Sequence, residues 1–252
     1  MSFLDFSLTN HRSSSQKVRV ITEAWTHENI FCPVCGQSLE QYPNNTPVGD
    51  FFCKSCQEDF ELKSKKGTFG KKITDGAYRT MIERLKSSQN PNFFGLSYTK
   101  EYEVFNFFVV PKHYFTPAII EERKPLSLTA KRAGWIGCNI LLDPIPESGK
   151  IFYVKEGKNL SKGQVLENWN KTSFLQETGN LETKGWLLDV MRCIDMLGKD
   201  TFSLKDMYEF KSHLSQLHPE NNHIPDKIRQ QLQKLIVHGY IERLENGIYK
   251  KL

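Results

Sequence analysis

Hydrophobic positions along this chain change period several times, and each change marks a different kind of element. Across residues 16–30 the apolar side chains Val18, Val20, Ile21 and Trp25 are compatible with an opening helix. A segment rich in Pro, Gly and Asn follows and reads as a knuckle or loop. Across residues 75–85, Ala77, Tyr78, Met81, Ile82 and Leu85 recur at helical spacing and predict an amphipathic helix. Residues 93–98 and 104–111 are short, aromatic and β-branched, as buried strands are, and IFYVKEGK from Ile151 is another such run. Strand, helix and strand in that order predict an α/β layer.

Beyond residue 180 the pattern turns helical. Leu187, Val190, Met191, Ile194 and Leu197 mark a helix that stops at Gly198. Ser203 to Asp206 reads as a capping box opening a second helix, with Asp standing where Glu is usual. Pro225 suits the first turn of a third helix, whose apolar stripe is Ile224, Ile228, Leu232, Leu235 and Ile236. Two alternating runs then flank Asn246-Gly247, a strong short-range hairpin signal. Three helices and a hairpin are the layout of a winged helix. The polar stretch around Glu177 to Asn180 therefore divides the chain into residues 1–180 and 181–252.

Composition supports a folded protein: 38% of residues are hydrophobic and 12% aromatic, enough for a real core. No run approaches the roughly 18 apolar residues of a membrane span, and MSFLDFSLTNHRSSSQKVRV has no apolar signal core. The expectation is a cytoplasmic protein, monomeric and without a membrane partner. A net charge of +5 mildly favours a polyanionic partner. Lys63, Lys65, Lys66, Lys71 and Lys72 crowd one segment, and Lys124, Lys131 and Arg132 another. Either cluster alone is equally compatible with a solvated face.

The cysteines change the picture more. C-P-V-C and C-K-S-C, holding Cys32, Cys35, Cys53 and Cys56, are separated by seventeen residues, within the spacing of four-cysteine zinc sites. Four thiolates close the tetrahedral shell, so such a zinc is structural. Cys138 and Cys193 stand alone among apolar neighbours and read as small core residues. The seven histidines form no metal or nucleophile pattern.

Beside the second cysteine pair lies a set of harder groups. If FELKS is a strand, Phe60 and Leu62 point to the core while Glu61 and Lys63 share the other face. A hairpin whose turn is pinned by Cys53 and Cys56 brings Asp50 towards Glu61. Two carboxylates can hold Mg²⁺ together with waters and a substrate phosphate. A lysine on the same face can orient or deprotonate the attacking water. That constellation hydrolyses a phosphodiester. The spacing also arises on solvated strands carrying a surface ion pair, so spacing alone leaves both readings open.

NNTPVGDFFCKSCQEDFELKSKKG, NPNFFGLSYTK, AKRAGWIGCNI and NNHIPDKIRQQLQKL together resemble the DpnI family of methyl-directed type II restriction endonucleases, over nearly the whole chain. The resemblance implies a PD-(D/E)xK nuclease domain followed by a winged helix. It also implies cleavage of double-stranded DNA at GATC sites containing N6-methyladenine. It puts the catalytic residues at Asp50, Glu61 and Lys63 and the zinc ligands at the four paired cysteines. It implies that Trp135 faces DNA. Lys131 stands where the family has an arginine, and Gly49 where the motif's name expects a proline.

The third helix offers a compatible reader. Lys227, Gln230, Gln233 and Lys234 face outward or flank its stripe. Glutamine can pair with adenine in the major groove, and lysine can contact phosphate. His223, at the helix start, and the basic residues Lys65, Lys66, Lys131 and Arg132 are further candidates for DNA contact. A non-catalytic zinc-ribbon and winged-helix regulator is the rival that this pattern allows. A protein-binding winged helix on an inactive scaffold is a third.

Overall fold

A computed structural model describes residues 14–43, 46, 49–87 and 90–252. The signal-peptide reading of the extreme N-terminus rests largely on residues outside this set. The chain separates into two compact units, Met1–Asp143 with Ser148–Asn170, and Pro144–Glu147 with Lys171–Leu252. Among the described residues no helix is long and apolar enough to cross a membrane.

The first unit opens with helix α1 (Ser14–Asn29), followed by the two-residue strands β1 (Glu40–Gln41) and β2 (Phe51–Phe52) and then β3 (Asp59–Lys66). Next come β4 (Lys72–Ala77), α2 (Tyr78–Lys86), β5 (Asn92–Tyr98) and β6 (Val104–Val110). Strands β7 (Ile120–Glu122), β8 (Gly137–Leu141), β9 (Ile151–Lys155) and β10 (Lys158–Asn159) and helix α3 (Lys162–Asn170) complete it. Seven strands form the main sheet in the order β1-β2-β3-β5-β6-β9-β10, and β4-β8-β7 form a second sheet of three. Only β3 and β5 run parallel within the main sheet, because β4 and α2 carry the chain across between them.

Alternation along β3 is as predicted: Phe60 and Leu62 are buried, while Glu61 and Lys63 are half-buried. Phe60 stacks on Phe94, and this core continues through Phe107 to Trp25 of α1 and to Val165 and Trp169 of α3. The other face of the sheet is covered too, since every residue of β5 is buried. Gly95 shows how tight that side is: a Cβ there would lie 2.3 Å from the Phe108 ring.

In this unit two local expectations are corrected. The helix predicted over residues 75–85 begins only at Tyr78, and residues up to Ala77 belong to β4. Pairing of β4 with β8 overrides the helical spacing that Ala77 seemed to continue. The run from Ile151 is not one strand but a hairpin of β9 and β10. Glu156 and Gly157 turn it, both in the left-handed region at φ 51° and 77°, as a tight type I′ turn demands.

The second unit contains α4 (Leu181–Met196), β11 (Thr201–Ser203), α5 (Leu204–Tyr208), α6 (Lys211–Leu217), α7 (Ile224–Val237), β12 (Ile241–Glu245) and β13 (Ile248–Lys251). Its sheet has the order β11-β13-β12, all antiparallel, which gives a winged helix with a third short strand. The hairpin turns at Asn246-Gly247, and Gly247 takes φ 76°. Ser203 and Asp206 form the reciprocal capping box. The single second helix expected after it is in fact two, α5 and α6, broken at Glu209-Phe210 without a glycine or proline.

Candidate functional site

The β2–β3 hairpin carries the first cluster. Phe51 pairs with Phe60, so Asp50 lies one step further along that register, where its N–H donates to the Phe60 carbonyl at 2.9 Å. Its carboxylate accepts from the Leu62 N–H at 2.7 Å and faces the Arg19 guanidinium at 3.4 Å. Burial pushes the Asp50 pKa up; the Leu62 N–H opposes this, Glu23 adds to it, and Arg19 and Lys63 oppose it. Arg19 also pairs with Glu23, which is buried on α1 and accepts from Gln41 at 3.0 Å. Gly49 permits the hairpin's close approach, since a Cβ there would sit 2.9 Å from the Phe60 carbonyl oxygen.

The second cluster stands on the outward face of β3. The Lys63 ammonium lies 2.6 Å from Glu61 and 2.8 Å from Asp75 of β4. Burial opposes its charge, yet the two carboxylates win and its pKa is raised. Arg84 of α2 approaches the other Glu61 oxygen at 3.8 Å. Glu61, Asp75, Thr80 and Arg84 line a cavity of about 200 Å³ together with Gly76 and Met81. Asp50, Glu61 and Lys63 thus lie on one hairpin, with Asp50 bonded to the Leu62 N–H and Glu61 to Lys63. Lys65 and Lys66 lie exposed at the far end of β3, with Lys66 5.9 Å from the Tyr102 ring.

The four paired cysteines form one cluster, their sulfurs all within 4.8 Å of one another. Cys32 meets Cys56 and Cys35 meets Cys53, each at 3.5 Å. Among the described residues this is the one group of three or more His, Cys, Asp or Glu donors gathered at metal-binding distance. Burial raises the Cys32 pKa and pushes that of Cys56 to about 11. Burial acts the same way on Cys35, but the Gln37 N–H and neighbouring thiols prevail and lower it to about 7. A closed quartet of sulfurs, two of them fully buried, fits zinc and leaves no open position for substrate. The knuckle is fastened to the sheet through Glu58, which accepts from Asn92 at 2.7 Å and pairs with Lys112 at 2.9 Å.

Trp135 belongs to the β7–β8 loop, which is closed by the bonds Arg123 N–H to Gly137 and Leu126 N–H to Trp135. Its ring lies against Gly137, where a Cβ would be 2.8 Å away, and the Arg132 guanidinium covers it at 4.6 Å. Lys131 and Arg132 are exposed beside it. In the second unit, Gln230 and Gln233 are exposed on α7. Lys227 and Lys234 are half-buried, the former 5.7 Å from the Trp186 ring. His223 precedes α7 and its carbonyl accepts from the Lys227 N–H at 3.0 Å.

The family model described as DpnI, Dam-replacing family, matches residues 1–178, and that of the Dam-replacing HTH domain matches residues 182–251. The chain belongs to the Dam-replacing family. Membership implies a nuclease and supports a methylation-dependent restriction enzyme, with a mixed α/β domain followed in sequence by a helix–turn–helix domain.

Within this Dam-replacing chain, sequence reasoning passed over several polar residues at the site. Asp75 was absorbed into a helix, and Arg19, Glu23 and Arg84, on α1 and α2, were not singled out. Arg229, outward on α7 and bound to Asp226 and Tyr208, was also missed. So was Gln231, wholly buried on the apolar stripe of the same helix. The one available signal was for Asp75: K-I-T-D-G-A alternates around buried Ile73 and carries a glycine next to its end, as a strand with a bulge does. Three of the described histidines pack against aromatic rings: His113 lies against Trp169, His218 on Trp186 and His238 on Phe174.

Proposed function

We propose that the protein is a Mg²⁺-dependent type II endonuclease that hydrolyses double-stranded DNA at GATC sites carrying N6-methyladenine. The observation that carries this reading is the Lys63 ammonium held 2.6 Å from Glu61, on the strand whose backbone also binds Asp50. Asp50 and Glu61 supply hard oxygen donors, and two such groups suit an ion that keeps waters and engages a phosphate. The bound ion would stabilise phosphoryl charge and acidify its water. Lys63, fixed between carboxylates, orients the attacking water and neutralises the scissile phosphate. Cys32, Cys35, Cys53 and Cys56 would hold a structural zinc, which would tie down the hairpin that presents Asp50.

Methyl reading is assigned to both domains, in residues 1–180 and 181–252. Trp135 offers an apolar face beside the basic Lys131 and Arg132. Gln230 and Gln233 offer amide groups for adenine edges, with His223, Lys227, Lys234, Lys65 and Lys66 available to phosphates. Burying one methyl is worth only about 0.8 kcal/mol, so two independent readers discriminate far better than one. The protein acts as a monomer on DNA in the cytoplasm.

Active-site variants test the chemistry. Asp50→Ala, Glu61→Ala and Lys63→Ala are each expected to abolish cutting while methylated GATC duplex still binds in fluorescence anisotropy. A Lys63→Ala protein that cuts at the wild-type rate removes that lysine from the mechanism.

A further inference from the structure

We propose that Asp75 is a positioning residue of the nuclease site, anchoring the Lys63 ammonium independently of Glu61. This deepens the reading above and rests on Lys63 being catalytic. In that reading Glu61 has two tasks: it gives oxygen to the ion and it is one partner of Lys63. An oxygen committed to a cation is a poorer acceptor for a second one. Lysine is a point charge on a flexible four-carbon stem, so with one anchor weakened it loses its place. Asp75 supplies the other anchor at 2.8 Å, from a different sheet.

The backbone is shaped for that contact. The pairing of β4 with β8 slips between Asp75 and Ala77, leaving Gly76 as an extra residue opposite Cys138 and Gly137. Bulges of this kind re-aim a side chain. Here the Asp75 carboxylate ends on the buried side of β4 with Ile73, only 5% exposed, although a cavity opens beside it. A carboxylate so buried is retained where a cation compensates it, and Lys63 does so. β8 leads back in two residues to Trp135, so the bulge also lies where the basic loop joins the site.

The test measures kcat and KM for methylated plasmid with Asp75→Asn, Asp75→Glu and, as control, Lys63→Ala. Methylated-duplex affinity without divalent metal and the thermal midpoint are measured in parallel. The expected result for Asp75→Asn is a kcat loss on the order of 100-fold, the scale of a misplaced catalytic group. KM, affinity and midpoint stay near wild type, and Asp75→Glu recovers part of the loss. If Asp75→Asn is insoluble, Asp75→Ser serves the same comparison. Wild-type kcat in Asp75→Asn beside a dead Lys63→Ala overturns this inference alone. Loss of affinity and midpoint in step with kcat overturns it as well, since Asp75 is then a structural ion-pair partner. Normal cutting by Lys63→Ala fails the parent reading first, and this inference with it.

Discussion

Cys53 is fully buried, 3.5 Å from Cys35, in the turn between Asp50 and β3. Removing its thiolate leaves the remaining sulfurs without a closed shell, and metal binding is then lost as folding free energy. Cys53→Ser is therefore expected to be insoluble or partly unfolded rather than folded and inactive. Zinc content by elemental analysis checks this: wild-type protein that cuts with well under one zinc per chain contradicts it. The cysteine pairs were legible because each is a short C-x₂-C turn, and the shared face of Glu61 and Lys63 because the two alternate along one strand. Asp75 and Arg84 were not, because they reach Glu61 and Lys63 from β4 and α2, through pairing and packing that leave no fixed spacing in the sequence.

At the scale of elements, two short features carry much of the geometry. Gly49 lets the hairpin close so that Asp50 reaches the Leu62 N–H. Gly49→Ala forces a methyl against the Phe60 carbonyl, and cutting should fall on the order of 100-fold through misplacement of Asp50. Unchanged cutting in that variant, at normal zinc content, shows that the approach is not needed. In the second unit the Ser203–Asp206 box caps α5. Ser203→Ala should cost about 1 kcal/mol in urea unfolding followed by circular dichroism. The Ser203 N–H, then Lys199 and the Ser203 hydroxyl, lower the Asp206 pKa to about 2. A lowered carboxylate stabilises the fold fully above its unfolded value of about 4 and loses that as pH falls towards 2. Ser203→Ala removes only the hydroxyl's share, so the gap between wild type and variant should narrow modestly over that window, and a constant gap rules out the hydroxyl–carboxylate bond's part. The capping box and Asn246-Gly247 were readable because local hydrogen bonding decides them. The break at Glu209-Phe210 was not, because it does not interrupt the apolar pattern.

For the whole molecule, strand and helix periodicities gave the α/β first half and the winged helix, since burial imposes those periods directly. Sheet order was not legible: the crossover from β3 through β4 and α2 to β5 depends on contacts remote in sequence. The same remoteness separates the two outcomes left open by composition, because a zinc-bearing regulator and a nuclease share every local motif except a working metal site. Digestion of Dam-methylated and unmethylated plasmid side by side, with Mg²⁺ and with EDTA, tests the central claim most directly. The account predicts fragments ending at GATC from methylated plasmid with Mg²⁺ alone, and intact DNA in the other three reactions. Methylated plasmid that is bound but stays intact with Mg²⁺, or equal cutting of both plasmids, contradicts it.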